Sequence, residues 1–193
     1  MRAALEDKLS ACLLEGVGID SITFSGDGEP TLNSDFPQII DDTLALRDIY
    51  YPKAAVSVLS NATRVGDDAV FRALSKVDNP IMKIDAPTNE LAALINRPYA
   101  GYDVRTVVEN LKRFNGNFVL QTMFLKSDSF DSSESSVLAA WMDIVRELSP
   151  REIMVYTIDR PTPQAGLVKF EPERMRELVQ PLIDEGFKIQ IKG

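Results

Sequence analysis

Residues 22–32 read ITFSGDGEPTL, and in them a short apolar strand leads directly into a loop with two glycines and two acidic residues. Gly26 and Gly28 are expected where the backbone turns sharply or approaches a ligand closely. Glu29 follows at once, and Pro30 stiffens the exit of the loop. A phosphate-binding loop would carry Lys followed by Ser or Thr, whereas the charged residues here are acidic. The loop therefore predicts a site for a cationic group, an ammonium or a metal ion; the alternative interpretation is a plain turn.

Strand-like and helix-like hydrophobic periods alternate on both sides of this loop. The predicted strands occupy residues 21–24, 55–59, 80–84, 118–124, 152–158 and 187–191, with helices predicted between them and before the first. Repeated βα units with helical crossovers indicate a parallel sheet, so the predicted fold class is α/β. No linker divides the chain, and we expect a single domain over residues 1–193. The Ser- and Asp-rich stretch 127–136 is expected to be a mobile loop.

The composition excludes several kinds of site. The 193 residues include no histidine and one cysteine, Cys12, so the chain alone cannot build a Ser-His-Asp triad, a His-ligated zinc site, a disulfide or an iron–sulfur cluster. Its 29 acidic against 21 basic residues give a net charge of −8, which argues against a non-specific nucleic-acid binder. The sequence lacks a long apolar run and a signal-peptide core, so we expect a cytoplasmic protein without a membrane partner.

Polar residues collect at the predicted carboxyl ends of the strands, where ligands bind in parallel α/β proteins. These candidates are Glu29, Ser60, Asn61, Asp85, Gln121, Lys126, Asp159 and Arg160. The alternative for any one of them is a helix N-cap, a position that favours Asp, Ser and Asn. Together with the unusual loop at residues 26–29, the set predicts a functional site at this edge of the sheet.

Five stretches of the chain carry a resemblance to a known family: residues 22–32, 59–63 (LSNAT), 83–86 (KIDA), 121–124 (QTMF) and 156–161 (YTIDRP). The first resembles the GGE motif of radical S-adenosylmethionine enzymes, in its GxGEPTL form. The others follow in the same order as in the Fe–S oxidoreductase branch that includes the tRNA wyosine-synthesis enzymes, and are similar to it. The resemblance spans nearly the whole chain, and its first motif is the most specific.

The resemblance implies a partial (β/α)6 TIM-like barrel with a parallel sheet. The residues that it places at S-adenosylmethionine are Gly26, Asp27, Gly28, Glu29, Ser60, Asn61, Asp85, Gln121 and Thr122; weaker candidates for substrate contact are Lys126, Asp159 and Arg160. In such enzymes a reduced 4Fe–4S cluster cleaves the cofactor to a 5′-deoxyadenosyl radical, which takes hydrogen from the substrate. The implied substrate is unknown and could be an RNA, a protein or a small molecule.

The chain departs from the family at its start. Family members begin with a strand and a C-x3-C-x2-C loop whose thiolates hold the cluster, whereas this sequence starts at the first helix of the pattern. Cys12 shares a predicted helix face with Leu9 and Leu13, and we interpret it as a core residue. We therefore expect an N-terminally truncated domain that lacks the first β-strand, has no metal ligands and performs no radical chemistry as given. Its unpaired strand edge would invite self-association.

Three hypotheses about function follow, and no residue is assigned a catalytic role. The first is the core of a radical S-adenosylmethionine oxidoreductase, inactive without its cluster-binding segment. The second is a non-catalytic remnant that binds a cofactor or acts as a scaffold. The third is a cluster-independent α/β barrel that binds a metal ion or an amine through Glu29, Asp85 and Asp159. Whether the chain is itself an enzyme is left open.

Overall fold

The computed structural model describes residues 1–26, 28–98, 101–159, 162 and 165–193. The chain divides into two compact units, Met1–Ile81 and Met82–Gly193, and each is described by itself. Within the described ranges, no helix combines the length and the hydropathy that a membrane crossing requires.

Six strands separated by helices follow the order that the hydrophobic periods predict, and three short strands are additional to it. The helices are α1 (Arg2–Leu14), α2 (Phe36–Tyr50), α3 (Asp68–Leu74), α4 (Asn89–Ile95), α5 (Val104–Leu111), α6 (Ser135–Leu148) and α7 (Pro172–Asp184). The strands are β1 (Ser21–Phe24), β2 (Ala55–Ser60), β3 (Asn79–Lys83), β4 (Val119–Met123), β5 (Leu125–Ser127), β6 (Phe130–Asp131), β7 (Glu152–Tyr156), β8 (Val168–Lys169) and β9 (Ile189–Lys192). The strand order of the main sheet is β1-β2-β3-β4-β7-β9, and the pairs of described register are parallel. The predicted α/β class with a parallel sheet is confirmed.

The first unit holds β1 and β2 side by side, with Ser21 opposite Ala55 and Phe24 opposite Val58. Because the two strands are parallel, the loops that leave them begin at the same edge of the sheet. The apolar face of α2 repeats at helical spacing, and its side chains of Phe36 and Ile40 are fully buried. This packing holds the chain rigidly on both sides of the loop between β1 and α2. The strand β1 is the terminal strand of the sheet order.

In the second unit, β4 and β7 bury one face and leave the other partly exposed. Leu120, Ile153 and Val155 are almost completely buried, whereas Gln121 and Tyr156, one position further along their strands, are half-buried. Side chains alternate between the faces of a strand, so the half-buried residues share one face. A parallel sheet covered by helices on both faces would show continuous burial instead. The partly exposed face of this unit is therefore available to a ligand.

The stretch 127–136 differs from the mobile loop that its composition predicts. It contains a short hairpin, in which β5 pairs with β6, and β5 also pairs with β8 on its other side. The buried Ser132 closes the hairpin: its hydroxyl accepts a hydrogen bond from the Leu125 amide and donates one to the Leu125 carbonyl, at 3.0 and 2.9 Å. Phe130 is buried beside it. The sequence did not predict this small sheet, because strands of two or three residues are too short to show a hydrophobic period.

Candidate functional site

The Glu29 carboxylate joins the loop after β1 to the end of β2 within the first unit. Its Oε1 accepts hydrogen bonds from the Thr31 amide (3.1 Å), the Thr31 hydroxyl (2.5 Å) and the Ser60 hydroxyl (2.8 Å). Its Oε2 accepts one from the Asn61 amide at 2.6 Å. Glu29 also caps the short 3₁₀ helix Pro30–Leu32. Four donors therefore fix the position of a half-buried negative charge at the carboxyl edge of the two strands.

Gly26 and Gly28 precede this carboxylate in sequence, and both face open space. A Cβ added at either residue would meet no protein atom within 4 Å, and neither residue has a positive φ. The backbone bends at both residues, but because neither φ is positive the bends alone do not require glycine. The absence of a side chain leaves open space at both positions, three residues and one residue before Glu29. Asp27, predicted to join them, lies outside the described residues.

Ser60 and Asn61 have different surroundings. Ser60 is buried, and besides donating to Glu29 its oxygen accepts a hydrogen bond from the Ala62 amide at 3.0 Å. The Asn61 side-chain oxygen accepts hydrogen bonds from the amide and the hydroxyl of Thr63, so it forms a local turn. Asn61 is exposed. Ser60 thus supports Glu29, while Asn61 lies at the surface of the same site.

Asp85 is the centre of a polar cluster in the second unit, and its side chain is fully buried. Its Oδ1 accepts a hydrogen bond from the Met123 amide at 2.9 Å. Its Oδ2 accepts a hydrogen bond from the Asn96 side-chain amide (Nδ2) at 2.6 Å and forms an ion pair with Lys83. Lys83 also hydrogen-bonds Tyr156. A buried carboxylate with this many donors is a fixed negative charge, and the lysine beside it balances that charge.

Burial and charge shift the pKa values of the groups around Asp85. Desolvation lowers the pKa of Lys83, but the Asp85 charge and the Tyr156 hydrogen bond outweigh it, and the pKa is raised. Burial raises the pKa of Tyr156; the Lys83 charge lowers it and the Asp85 charge raises it, and the pKa is raised overall. Burial, and then the charges of Asp85 and Asp103, raise the pKa of Tyr102 to about 12. At neutral pH the cluster therefore presents a protonated lysine and two neutral phenols.

Gln121 and Thr122 lie on opposite faces of β4. Thr122 is buried, its hydroxyl donates to the Ile84 carbonyl at 2.8 Å, and it accepts from the Trp141 indole at 3.0 Å. Gln121 lies on the half-buried face and lines a cavity of about 320 Å³ together with Tyr156, Asp159, Gln190 and Lys192. Gln121 can therefore reach a ligand on that face, whereas Thr122 organises the packing beneath it.

The three weaker candidates have separate environments. Lys126 forms an ion pair with Asp131 across the β5–β6 hairpin at 2.8 Å. Asp159 is exposed and lines the cavity of Gln121. Arg160 lies outside the described residues. Sequence reasoning missed Lys83 and Tyr156 as members of a site. A signal for both was present: Lys83 ends β3 two positions before Asp85, in the stretch KIDA, and Tyr156 begins the stretch YTIDRP.

Metal ligation finds no support in the part of the chain that the structure describes. No group of three or more Cys, Asp or Glu side chains is arranged there to hold a metal ion. The cysteine of the chain, Cys12, is buried within α1 as predicted.

The amino-acid sequence of this chain is similar to those of several known proteins. No family model matches the chain. It is 28% identical to a UPF0026 protein of Synechocystis sp., over 75% of this chain and 52% of that protein. It is 26% identical to a UPF0026 protein of Methanocaldococcus jannaschii, over 74% and 43%. It is also 28% identical to a protein of Brachyspira hyodysenteriae named GTPase Obg, over 88% of this chain and 24% of that protein. The chain spans about half or less of the length of these relatives.

Three solved structures share the fold. A domain of a pyruvate-formate lyase-activating enzyme from Bacteroides vulgatus matches 91% of this chain and 100% of its own, with TM-score 0.66 and 14% identity. Streptococcus suis SuiB bound to its precursor peptide matches 98% of this chain and 42% of its own, with TM-score 0.69 and 16% identity. The structure of anSMEcpe with bound AdoMet matches 97% and 53%, with TM-score 0.63 and 17% identity.

These structural neighbours are radical S-adenosylmethionine enzymes, and the chain has their fold. The resemblance expected from the GDGEPT loop is therefore confirmed at the level of the fold.

Proposed function

We propose that this chain is the S-adenosylmethionine-binding part of a radical S-adenosylmethionine enzyme of the Fe–S oxidoreductase type. Gly26, Asp27, Gly28 and Glu29 would receive the methionyl amine of the cofactor. The observation that carries the proposal is the Glu29 carboxylate, held by four hydrogen bonds in the loop whose Gly26 and Gly28 face open space. We also propose that residues 1–193 form one domain and that the protein is cytoplasmic.

The distribution of donors on Glu29 favours an ammonium as the ligand. Its Oε1 has three donors, whereas its Oε2 has one described donor, the Asn61 amide. A carboxylate oxygen offers two lone pairs, so Oε2 can accept a further, charge-assisted hydrogen bond. A metal ion would need several ligating side chains, and the described residues provide no such group. An amine is therefore the better partner for this carboxylate.

The remaining candidates are the other residues that the resemblance places at the cofactor or the substrate. Ser60 would act by positioning Glu29, and Asn61 would face the ligand from the surface of the loop after β2. Asp85 and Gln121 would contact the cofactor or the substrate, and Lys126, Asp159 and Arg160 would meet the substrate, whether an RNA, a peptide or a small molecule. The relative SuiB binds a precursor peptide, which makes a peptide one of the substrates to test.

The residues of this chain do not fit a 4Fe–4S cluster. A cluster of this class needs three thiolates, and the 193 residues contain only Cys12, which is buried inside α1. S-adenosylmethionine supplies an adenosyl radical only when such a cluster reduces it, so no radical step is assigned to this chain alone. Anaerobic reconstitution with iron and sulfide is expected to yield no stoichiometric cluster; an absorption spectrum showing one would overturn this part of the proposal.

Calorimetric titration with S-adenosylmethionine tests the cofactor site. We expect saturable binding that is weakened at least about tenfold by Glu29→Gln, because the ammonium loses its charged partner. Gly28→Ala should weaken binding as well, because its methyl group enters the open space. Gly18→Ala is the matched control: Gly18 also lacks a positive φ and would meet no atom, but it lies before β1.

The outcomes separate the hypotheses. Loss of binding in Glu29→Gln and Gly28→Ala, with thermal stability and the Gly18→Ala titration unchanged, supports the proposal. Equal binding by all four proteins, or none by the unaltered chain, contradicts it. Binding of a divalent cation in place of S-adenosylmethionine, abolished by Glu29→Gln, would favour the cluster-independent barrel.

A further inference from the structure

A second cavity lies in the unit Met82–Gly193, and two of its lining residues, Asn96 and Met123, hydrogen-bond Asp85. Its volume is about 450 Å³, within the range that accommodates small organic ligands. The end of α4 forms one wall, through Leu94 and Arg97, and the β5–β6 hairpin forms another, through Leu125 and Phe130. The hairpin that the sequence did not reveal thus builds part of a binding cavity.

The lining of this cavity combines an apolar surface with a single cation. Leu94, Leu125, Phe130 and other apolar side chains form most of it, and Arg97 is the one charged residue among the described lining residues. Such a lining suits a ligand with an apolar body and one negative charge. A guanidinium binds a carboxylate through two parallel hydrogen bonds. Since it carries five N–H donors, Arg97 can do so while it keeps an interaction within the protein.

The backbone of Arg97 supports a role for its side chain. It follows Asn96, the C-cap of α4, and has a φ of 44°, in the left-handed region. Glycine and asparagine are preferred at this position because other side chains are strained there. An arginine that only complemented the helix dipole could occupy the last turn without this strain. Strained backbone of this kind concentrates at ligand sites.

The position at a helix C-terminus also limits the charge of the ligand. The carbonyl groups at that end carry a partial negative charge, which disfavours a phosphate dianion more than a monoanion. We propose that this cavity binds an organic carboxylate with an apolar body, and that Arg97 binds its carboxylate. Such a group occurs in a free carboxylic acid and at the C-terminus of a peptide that ends in an apolar residue. The inference is independent of cofactor binding at Glu29.

Titrations of the full chain with two probes test the site, using ligand-detected NMR or calorimetry. The first probe is 4-phenylbutyrate, with 4-phenylbutanol as its neutral counterpart. The second is the peptide N-acetyl-Gly-Phe with a free carboxylate, with its C-terminal amide as counterpart. At least one acid should bind saturably and at least about tenfold more tightly than its neutral counterpart. If 4-phenylbutyrate binds more tightly, the ligand is a free carboxylic acid; if N-acetyl-Gly-Phe binds more tightly, the ligand is the C-terminus of a peptide.

Arg97→Gly separates the side chain from the fold. Glycine relieves the left-handed backbone, so this variant should be at least as stable as the unaltered chain, yet lose acid binding at least about tenfold. Ser149→Gly is the matched control, since Ser149 also has a φ of 44°, at the end of α6, and does not line the cavity. It should bind the acid normally.

Three results would overturn the proposal: no saturable binding of either acid, neutral counterparts that bind as well as the acids, or an Arg97→Gly protein that retains acid binding. Because none of these measurements involves S-adenosylmethionine, Glu29 or Gly28, failure here is distinct from failure of the cofactor proposal.

Discussion

The Ser60 hydroxyl, almost completely buried at the end of β2, donates a 2.8 Å hydrogen bond to the Glu29 carboxylate in the loop after β1. The two residues are 31 positions apart in sequence, and the parallel pairing of β1 and β2 brings them together. A carboxylate held by a buried hydroxyl and by backbone amides is placed before any ligand arrives, so less ordering is needed on binding.

Ser60→Ala tests how firmly Glu29 is held. The change removes the donor to Glu29 and the acceptor of the buried Ala62 amide, and it should lower the free energy of unfolding by about 2 kcal/mol. Ser75→Ala is the control, because its hydroxyl is exposed and bonds only the preceding helical turn; its effect should be below about 0.5 kcal/mol. Urea denaturation measures both, and equal effects would contradict a structural role for Ser60.

Asp85→Asn should be strongly destabilising, because it leaves the largely buried Lys83 ammonium without its charged partner. We expect a loss of about 3 kcal/mol in urea denaturation. Glu177→Gln breaks an exposed ion pair with Arg174 and should cost less than about 0.5 kcal/mol.

Adding Lys83→Met to Asp85→Asn should recover part of the stability, since the buried charge is then gone. A double variant no more stable than Asp85→Asn would show that packing, and not the unpaired charge, causes the loss.

Glu147 should make stability depend on pH in acid. Hydrogen bonds from Arg105 and then Lys112 lower its pKa from 4.5 to about 2. Ionised Glu147 therefore stabilises the folded state fully above pH 4.5, and this contribution is lost as the pH falls toward 2. Glu147→Gln should reduce the slope of stability against pH in that window. Glu173→Gln, in the exposed first turn of α7, should leave it nearly unchanged.

Salt provides a second check on Glu147. Its ion pairs with Arg105 and Lys112 lie at the surface, so about 0.5 M NaCl should shrink the difference between the unaltered chain and Glu147→Gln. A difference that is insensitive to both salt and pH would mean that the ion pairs do not set the slope.

The terminal position of β1 predicts self-association. Among the described residues β1 pairs with a strand on one side only, β2, and an open strand edge invites pairing with another chain; the exposed Thr23 is uncharged. Light scattering should show dimers or larger species that increase with concentration, and Thr23→Lys should reduce them. Ser75→Lys is the control: it adds the same charge at the end of α3, away from β1 in sequence, and should not reduce these species. A protein that stays monomeric at all concentrations would contradict self-association through β1.

Local patterns were enough to place most elements of the fold. The strand predicted at residues 21–24 is β1, and the strand predicted at residues 55–59 is β2, because the hydrophobic period acts over a few neighbouring residues. The small sheet of β5, β6 and β8 was missed, because its strands are shorter than any period that a sequence can show. The separation of Gln121 from Thr122 could have been foreseen, since adjacent strand residues face opposite sides.

The sequence by itself determined the succession of the six main strands and the helices between them, the acidic glycine-rich loop at residues 26–29 and the lack of thiolates for a cluster, since each of these is a property of composition or of short-range spacing. Only the tertiary structure decided which donors hold Glu29, that Lys83 and Tyr156 join Asp85, and that Arg97 meets the hairpin at Phe130 around a cavity. These contacts join residues far apart in the chain, and their geometry depends on strand pairing and packing, which no local pattern encodes.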